Sequence, residues 1–312
     1  MKLFACILPL MLGTCLANRW RPDGSCSQYG NEVDVAFSQA IELAENGYRV
    51  MQDHYDTDVH VQQMVKHILG DDSNLQAKID VVKCPPVQNN QDVFIFCDGS
   101  NYEPVTTVTG TQVRRNKVIG AIVANDHWEN IKSCYDSQPP TGKTAMALTT
   151  RSDWWDQRGY EDEENIWEQR GRIDKPPKRE DFIRTRDLMP NTMDLCKWYL
   201  LEKQSQGWPR IDQETVERVR DEAFVSGLRN NDKAVDTLST TLSATLLHEL
   251  THTNRGGDLE DKDDWNCYGW VCVGNLKDPT NADSVNMLGV VLKLWSMGYY
   301  VDGDGRVERI EV

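Results

Sequence analysis

Two histidines four positions apart constrain this chain more than any other feature of its sequence. His248 and His252 lie in the segment LSATLLHELTHTN, residues 242–254. Side chains at positions i and i+4 share one face of an α-helix, so both imidazoles can reach a single metal ion if the segment is helical. The leucines of the segment give this helix an apolar back, which predicts that it packs against a core.

Glu249, beside the first histidine, completes the pattern HExxH. A carboxylate in this position can take a proton from water that Zn²⁺ has activated, so the pattern is typical of metalloproteases. The same spacing also occurs in ordinary helices as a solvent-exposed pair without a metal. A catalytic zinc site needs a third protein ligand as well, and leaves one position open.

Aspartates after the helix are the candidates for that third ligand. The metzincin pattern HExxHxxGxxH fails, because Arg255 and Asp258 stand where it requires glycine and histidine. The aspartates of the loop are Asp258, Asp261, Asp263 and Asp264. A run of this kind can be a solvent-exposed acidic loop in which three members are surface charges while one binds metal.

A series of short motifs resembles one protease family. HELTH is followed by an Asp-containing loop, then by Tyr268-Gly269, then by Asn-Ala-Asp-Ser at residues 281–284. This order resembles the deuterolysin-like, or aspzincin, family of secreted fungal zinc metalloendopeptidases. The resemblance is specific over about residues 240–298 and weaker at NTMDLCKWYL, whereas residues 98–190 have no counterpart and are interpreted as an insertion.

The resemblance implies His248, His252 and Asp264 as the ligands of one catalytic Zn²⁺ ion. In that family the third ligand is an aspartate three residues before the tyrosine, where this chain has Trp265. Asp264 therefore requires one extra residue in the loop, and Asp261 is the next candidate.

The same resemblance implies Glu249 as general base and Tyr268 as a hydrogen-bond donor to the developing oxyanion. The alternative for Tyr268 is a packed aromatic at a turn. Asp283 has three candidate roles: a helix cap, a partner that orients a zinc-binding histidine, or a ligand of a substrate lysine. The lysine-specific branch uses a second acid one turn later, where this chain has Asn286, so strict lysine specificity is not expected.

The first 17 residues predict a secretory signal. Lys2 precedes the apolar run from Leu3 to Leu12, and small residues precede Ala17. The cysteines after this segment are Cys26, Cys84, Cys97, Cys134, Cys196, Cys267 and Cys272. Seven cysteines suit an oxidising compartment and allow at most three disulfides. The sequence therefore predicts a secreted protein.

Charge and hydropathy exclude two kinds of partner. The chain has 34 Lys+Arg against 49 Asp+Glu, a net charge of −15, so binding to nucleic acid is not expected. No apolar run reaches the roughly 18 residues that a membrane-spanning helix needs, so no role in a membrane is expected.

Hydrophobic periodicity predicts an α+β fold. Helices are expected at about 33–51, 57–70, 232–254 and 281–298, and strands within 92–126 and at 191–201. The resemblance makes residues 18–312 one zincin-like domain, mainly helical with a small sheet. Within it, the charged insertion covers about 98–190 and the zinc-site core about 232–298.

We therefore expect a secreted zinc-dependent metalloendopeptidase that acts on proteins or peptides. The alternative is a non-catalytic secreted zinc-binding or host-interacting protein of the same fold. The intact Glu249 favours the enzyme, because a zinc carrier has no use for a base. The C-terminal tail, 301–312, also lacks the histidines or cysteines expected of a carrier.

The loop after the zinc-binding helix predicts a preference for basic substrates. Residues 258–264 contain five acids and one lysine, and they begin six residues after His252. Their field should concentrate cationic peptides, so we expect Lys-rich peptides to be cleaved faster than matched Glu-rich peptides. Added salt should reduce the difference, because exposed charges are screened over about 8 Å at physiological ionic strength. Equal initial rates at low salt would contradict this expectation.

Overall fold

The computed structural model describes the chain in twelve stretches. They are residues 20–71, 76, 93–106, 112–119, 122–123, 125–139, 145–151, 190–228, 232–253, 256–257, 259–262 and 267–311. The predicted signal, 1–17, lies outside them.

Helices form most of the regular structure. The α-helices are α1 (Glu32–His54), α2 (Val59–Leu69), α3 (Asn125–Cys134), α4 (Lys197–Ser205), α5 (Gln213–Arg220), α6 (Glu222–Ser226), α7 (Ala234–Ser239), α8 (Leu242–Thr251), α9 (Gly269–Leu276) and α10 (Ala282–Ser296). A 3₁₀ helix covers Gly24–Tyr29. Within the described residues, no helix is both long and apolar enough to cross a lipid bilayer.

The strands form a main sheet, a small second sheet and a hairpin. They are β1 (Trp20–Pro22), β2 (Val93–Phe96), β3 (Tyr102–Thr106), β4 (Gln112–Asn116), β5 (Ile122–Val123), β6 (Ala147–Thr150), β7 (Asn191–Leu195), β8 (Tyr299–Val301) and β9 (Val307–Arg309). The main sheet has the order β1-β2-β7-β6, in which only β6 runs antiparallel to its neighbour. Strands β3, β4 and β5 form the second sheet, and β8 pairs with β9. The mixed α+β class is thus confirmed.

Helix α8 occupies the centre of the core. It packs against α1, α10 and strand β6, and all ten of its residues are buried. The apolar back predicted for this helix is present, but the other face is covered as well. Polar bonds add to the packing around it: the Asn46 amide of α1 donates to the Leu292 carbonyl of α10 at 3.0 Å. The histidine-bearing helix is therefore held from several sides.

Two predicted elements differ from the observed ones. The helix predicted at 232–254 is divided into α7 and α8, because Thr241 is extended and its hydroxyl donates to the Leu238 carbonyl at 2.9 Å. Threonine side chains compete for helical backbone groups in this way. The strand predicted at 191–201 ends at Leu195, and the chain enters α4 after Cys196.

The segment interpreted as an insertion, 98–190, joins the main sheet where it is described. Strand β6 is the edge strand beside β7. The Asn116 amide of β4 donates to the Thr192 hydroxyl of β7 at 2.9 Å, in a buried contact. On the same strand, Asp194 accepts hydrogen bonds from the hydroxyls of Tyr102, at 2.8 Å, and Tyr135, at 2.6 Å. These contacts fix the second sheet and α3 against β7.

Three disulfides join described residues. They are Cys26–Cys97, Cys134–Cys196 and Cys267–Cys272. The first two close loops with sequence separations of 71 and 62 residues. By reducing the entropy of the unfolded chain, each disulfide stabilises the fold by about 4 kcal/mol. The seventh cysteine, Cys84, lies outside the described residues. Three disulfides are the most that the seven cysteines after residue 17 allow.

The buried Asp194 generates a prediction about stability. Burial raises its pKa from an ordinary 3.8 to about 6, although hydrogen bonds from Tyr135 and Tyr102 lower it. The folded state therefore favours the protonated form. The contribution of Asp194 to the free energy of unfolding should therefore fall by about 3 kcal/mol as pH rises from about 4 to about 6.

Asp194→Asn removes this titration. Denaturant unfolding between pH 4 and pH 7 should show the variant gaining about 3 kcal/mol relative to wild type as pH rises. Asp56→Asn, at an exposed position after α1, is the control with the same change in charge. Parallel curves for wild type and Asp194→Asn would contradict the prediction.

Candidate metal centre

The end of helix α8 brings the two predicted histidines together. His248 lies in its last turn, and His252, directly after it, keeps helical backbone angles (φ −74°, ψ −16°). Both side chains therefore project from the same face of the helix, as the i, i+4 spacing predicts. Their Nε2 atoms lie 3.1 Å apart, and the rings meet nearly edge to face.

Asp261 provides a carboxylate to the same point. Its Oδ1 lies 3.1 Å from His248 Nε2, and its Oδ2 lies 3.5 Å from His252 Nε2. Tetrahedral zinc with metal–nitrogen bonds of about 2.05 Å places its ligand atoms about 3.3 Å apart. The separations in the cluster are close to this value, and one ligand atom from each side chain lies within 4.8 Å of the others, so the group can hold a metal ion.

Backbone hydrogen bonds on both sides hold the short segment 259–262 in place. The Leu259 amide donates to the Thr251 carbonyl of α8 at 3.0 Å. Glu260 bridges to the chain before α10, since its amide donates to Thr280 O at 3.3 Å and its carbonyl accepts from Ala282 at 3.0 Å. Asp261 follows directly, so two helices determine where its carboxylate lies.

One glycine lets the chain turn back after the helix. A Cβ on Gly256 would lie 1.7 Å from the carbonyl oxygen of Leu250, so no other residue fits there without a shift of the backbone. The chain thus passes close to α8 at Gly256 and then returns to the end of this helix at Leu259, whose amide donates to the Thr251 carbonyl.

The surroundings of His252 fix which nitrogen can bind a metal. Its Nδ1 lies 2.8 Å from the carbonyl oxygen of Leu259. A carbonyl can only accept, so Nδ1 carries a proton, and Nε2 is the nitrogen directed toward His248 and Asp261.

Asp283 lies behind His248. Its Oδ1 is 3.7 Å from His248 Nδ1, while its Oδ2 accepts a hydrogen bond from the Gly269 amide at 2.7 Å. It also lies in the first turn of α10, where an acid is favourable. Asn286, one turn later, donates to Asp283 at 3.1 Å. Asp283 is therefore placed both to stabilise the helix start and to orient the imidazole.

The charge of the cluster favours a cation. Burial lowers the pKa of His248, but the carboxylates of Asp261 and Asp283 outweigh this effect and raise it to about 10. Burial likewise raises the pKa of Asp261, yet the neighbouring His248 and His252 bring it below its ordinary value. The Oδ1 atom of Asp261 is buried, and its close polar neighbour is His248 Nε2 at 3.1 Å. A buried carboxylate needs compensating positive charge, and a metal ion shared by the three side chains would supply it.

Glu249 and Tyr268 lie beside the cluster. The Glu249 side chain is buried, and its Oε2 accepts a hydrogen bond from the Thr149 hydroxyl at 2.7 Å. Tyr268 is 48% exposed, and its ring centroid lies 5.7 Å from that of His248. Burial of its hydroxyl end and the charges of Asp261 and Glu249 raise the pKa of Tyr268, so it stays protonated at neutral pH.

The turn that carries Tyr268 is fixed by two carboxylates. Gly269 has φ +81°, a conformation that favours glycine, and a Cβ there would lie 3.0 Å from the Asp236 carboxylate. The Trp270 amide donates to Asp236 at 2.7 Å, and the Gly269 amide to Asp283. The Cys267–Cys272 disulfide encloses the same turn.

The predicted site residues thus have different outcomes. His248, Glu249, His252 and Tyr268 lie around one point, and Asp261, the second candidate for the third ligand, joins them. The first candidate, Asp264, lies outside the described residues, as do Asp258 and Asp263. Thr149 was not anticipated, since a single threonine in a strand of the unmatched segment carries no motif.

No known protein family, curated protein or solved structure matches the chain. The resemblance to the deuterolysin-like proteases therefore rests on the sequence motifs themselves.

The two candidates for the third ligand can be separated by matched variants. We expect Asp261→Asn to weaken Zn²⁺ binding by roughly 100-fold or more, since even an outer partner of a metal ligand is worth about 10- to 100-fold. Asp264→Asn should retain wild-type affinity. Calorimetric titration of the metal-free proteins measures both. Loss of binding in Asp264→Asn with retention in Asp261→Asn would identify Asp264 as the ligand.

Proposed function

We propose that this protein is a secreted zinc-dependent metalloendopeptidase with a zincin-like fold. The observation that carries the proposal is the position of one buried glutamate beside three metal-ligating side chains. His248, His252 and Asp261 would hold the ion, and Glu249 follows the first ligand on the same helix. Two imidazoles and one carboxylate form a donor set that suits zinc and leaves one coordination position open.

When bound, Zn²⁺ would supply Lewis-acid chemistry, which lowers the pKa of water and polarises a carbonyl group. The residues of the chain supply the proton transfers. Glu249 would accept the proton of the attacking water and pass it to the leaving amine of the cleaved peptide bond. Its Oε2 is engaged by Thr149, and the described residues place no hydrogen-bond donor on Oε1. Oε1 is therefore the atom that we assign to proton transfer.

Tyr268 would support the reaction from its place beside His248. Because its pKa is raised, the hydroxyl remains a donor at neutral pH. Its ring is half exposed and lies next to the cluster, so a bound substrate can reach it. Donation to the oxygen that gains charge during attack would stabilise the transition state.

The proposed preference for basic peptides depends on a loop of which part is described. Within it, Glu260 pairs with Lys262 at 2.8 Å, and Asp261 faces the histidines rather than the solvent. The other acids of the loop, Asp258, Asp263 and Asp264, lie outside the described residues.

Export is proposed on the signal-like N-terminus, and the three disulfides are compatible with it. Proteins and peptides are the proposed partners. The alternative of a non-catalytic zinc-binding protein differs in one testable respect, because it gives Glu249 no role in turnover.

Replacing the proposed base separates the two functions. In Glu249→Gln we expect one bound Zn²⁺ per chain, as in wild type, and a loss of peptidase activity of at least about 100-fold. Casein digestion measures activity, and metal analysis of the same sample measures zinc. Glu214→Gln, at an exposed position in α5, is the control and should match wild type.

Chelator treatment completes the experiment. Wild-type activity should vanish when zinc is removed and return when zinc is restored. Zinc-loaded wild type that cleaves no protein or peptide would contradict the proposed function and favour the alternative.

A further inference from the structure

We propose that Thr149 is a positioning residue that holds the Glu249 carboxylate in place beside the metal ligands. The inference rests on the proposed function, since it assigns Glu249 its role as base. Thr149 Oγ1 lies 2.7 Å from Glu249 Oε2 and 3.1 Å from the carbonyl oxygen of Glu249. A short bond from a hydroxyl to a carboxylate is stronger than one to a neutral acceptor.

The carboxylate is the acceptor that depends on Thr149. A hydroxyl has one hydrogen to donate, so it cannot serve both oxygens at once. The Glu249 carbonyl already accepts from the His252 amide at 3.2 Å. The carboxylate has only the threonine among the described residues, and loss of the hydroxyl would leave a buried carboxylate without a donor.

The bond also restricts a flexible side chain. A glutamate has three side-chain torsions, and fixing them has an entropic cost that must be met before a proton can be transferred. Because the threonine holds Oε2, Oε1 is left free for the proton. One hydrogen bond thus sets the position of the carboxylate and distinguishes its two oxygens.

Thr149 is itself on a rigid element. It lies opposite Met193 in the antiparallel ladder between β6 and β7. Neighbouring strand residues point to opposite faces of a sheet. The preceding residue, Leu148, pairs with Asp194, and the carboxylate of Asp194 accepts its hydrogen bonds from tyrosines on the face of the sheet away from α8. Thr149 therefore faces α8. The Cys196 amide donates to the Met146 carbonyl at 3.0 Å and fixes the start of the strand.

The inference gives the unmatched segment a role in catalysis. Strand β6 belongs to residues 98–190, for which the sequence offered no functional interpretation. A side chain supported by a strand holds its partner more accurately than one on a loop. The edge of the main sheet would then act as a fixed support for the base carried by the helix.

Two substitutions at Thr149 test the inference. Thr149→Val preserves the shape of the side chain and its preference for strand structure but removes the hydroxyl, whereas Thr149→Ser retains the hydroxyl. We expect Thr149→Val to lower kcat by about 10- to 100-fold, because a small misplacement of a catalytic group has effects of this size. KM and zinc content should stay close to wild type, and Thr149→Ser should recover most of kcat. Wild-type kcat in Thr149→Val would overturn the inference.

A second readout does not depend on activity. Crystal structures of the metal-free wild type and both variants should show the Glu249 carboxylate displaced or spread over several positions in Thr149→Val alone. An unchanged carboxylate in Thr149→Val would overturn the inference even if its activity fell. If wild type hydrolyses no peptide, the proposed function fails by itself, and the position of the carboxylate still decides the role of Thr149.

Discussion

The contact between the Asp261 carboxylate and the two imidazoles is the interaction on which the rest of the site depends. A carboxylate is costly to bury unless opposite charge or hydrogen bonds compensate it. Here the side chain is 12% exposed, and its two oxygens face the Nε2 atoms of His248 and His252 at 3.1 and 3.5 Å. Backbone hydrogen bonds hold the two residues before Asp261 against α8 and the start of α10. Such an arrangement suits a cation held by three side chains.

The packing of α8 explains why the site is rigid. Its ten residues are buried among α1, α10 and β6, so the histidines and Glu249 cannot shift without disturbing the core. Around this helix, each functional side chain has a partner from another element. The Leu259 carbonyl accepts from His252 Nδ1, and Thr149 donates to the Glu249 carboxylate. The Asp283 carboxylate lies beside Nδ1 of His248. The helix supplies the residue types, and the surrounding elements determine their orientation.

The sequence predicted those parts of the site that depend on local periodicity. His248, Glu249 and His252 follow from helical spacing, which a sequence displays directly. The candidates for a third ligand lie in a loop, where no periodicity relates residue number to position. The resemblance favoured Asp264, whereas the described structure brings Asp261 to the histidines. Thr149 could not be found in this way, because its proximity to Glu249 arises from pairing between β6 and β7 across a long stretch of chain.

The same distinction holds for the fold. The long helices α1 and α10 were predicted from their apolar stripes, whereas the division between α7 and α8 depends on one threonine hydroxyl that competes for a backbone carbonyl. The change from strand to helix after Leu195 was missed, because a short apolar run is compatible with either structure.

Anomalous X-ray diffraction at the zinc absorption edge, from crystals of the zinc-loaded protein, tests the central claim most directly. The account predicts a single peak about 2.0–2.2 Å from Nε2 of His248, Nε2 of His252 and a carboxylate oxygen of Asp261. A peak coordinated by a different aspartate, or no peak at the end of α8, would contradict it.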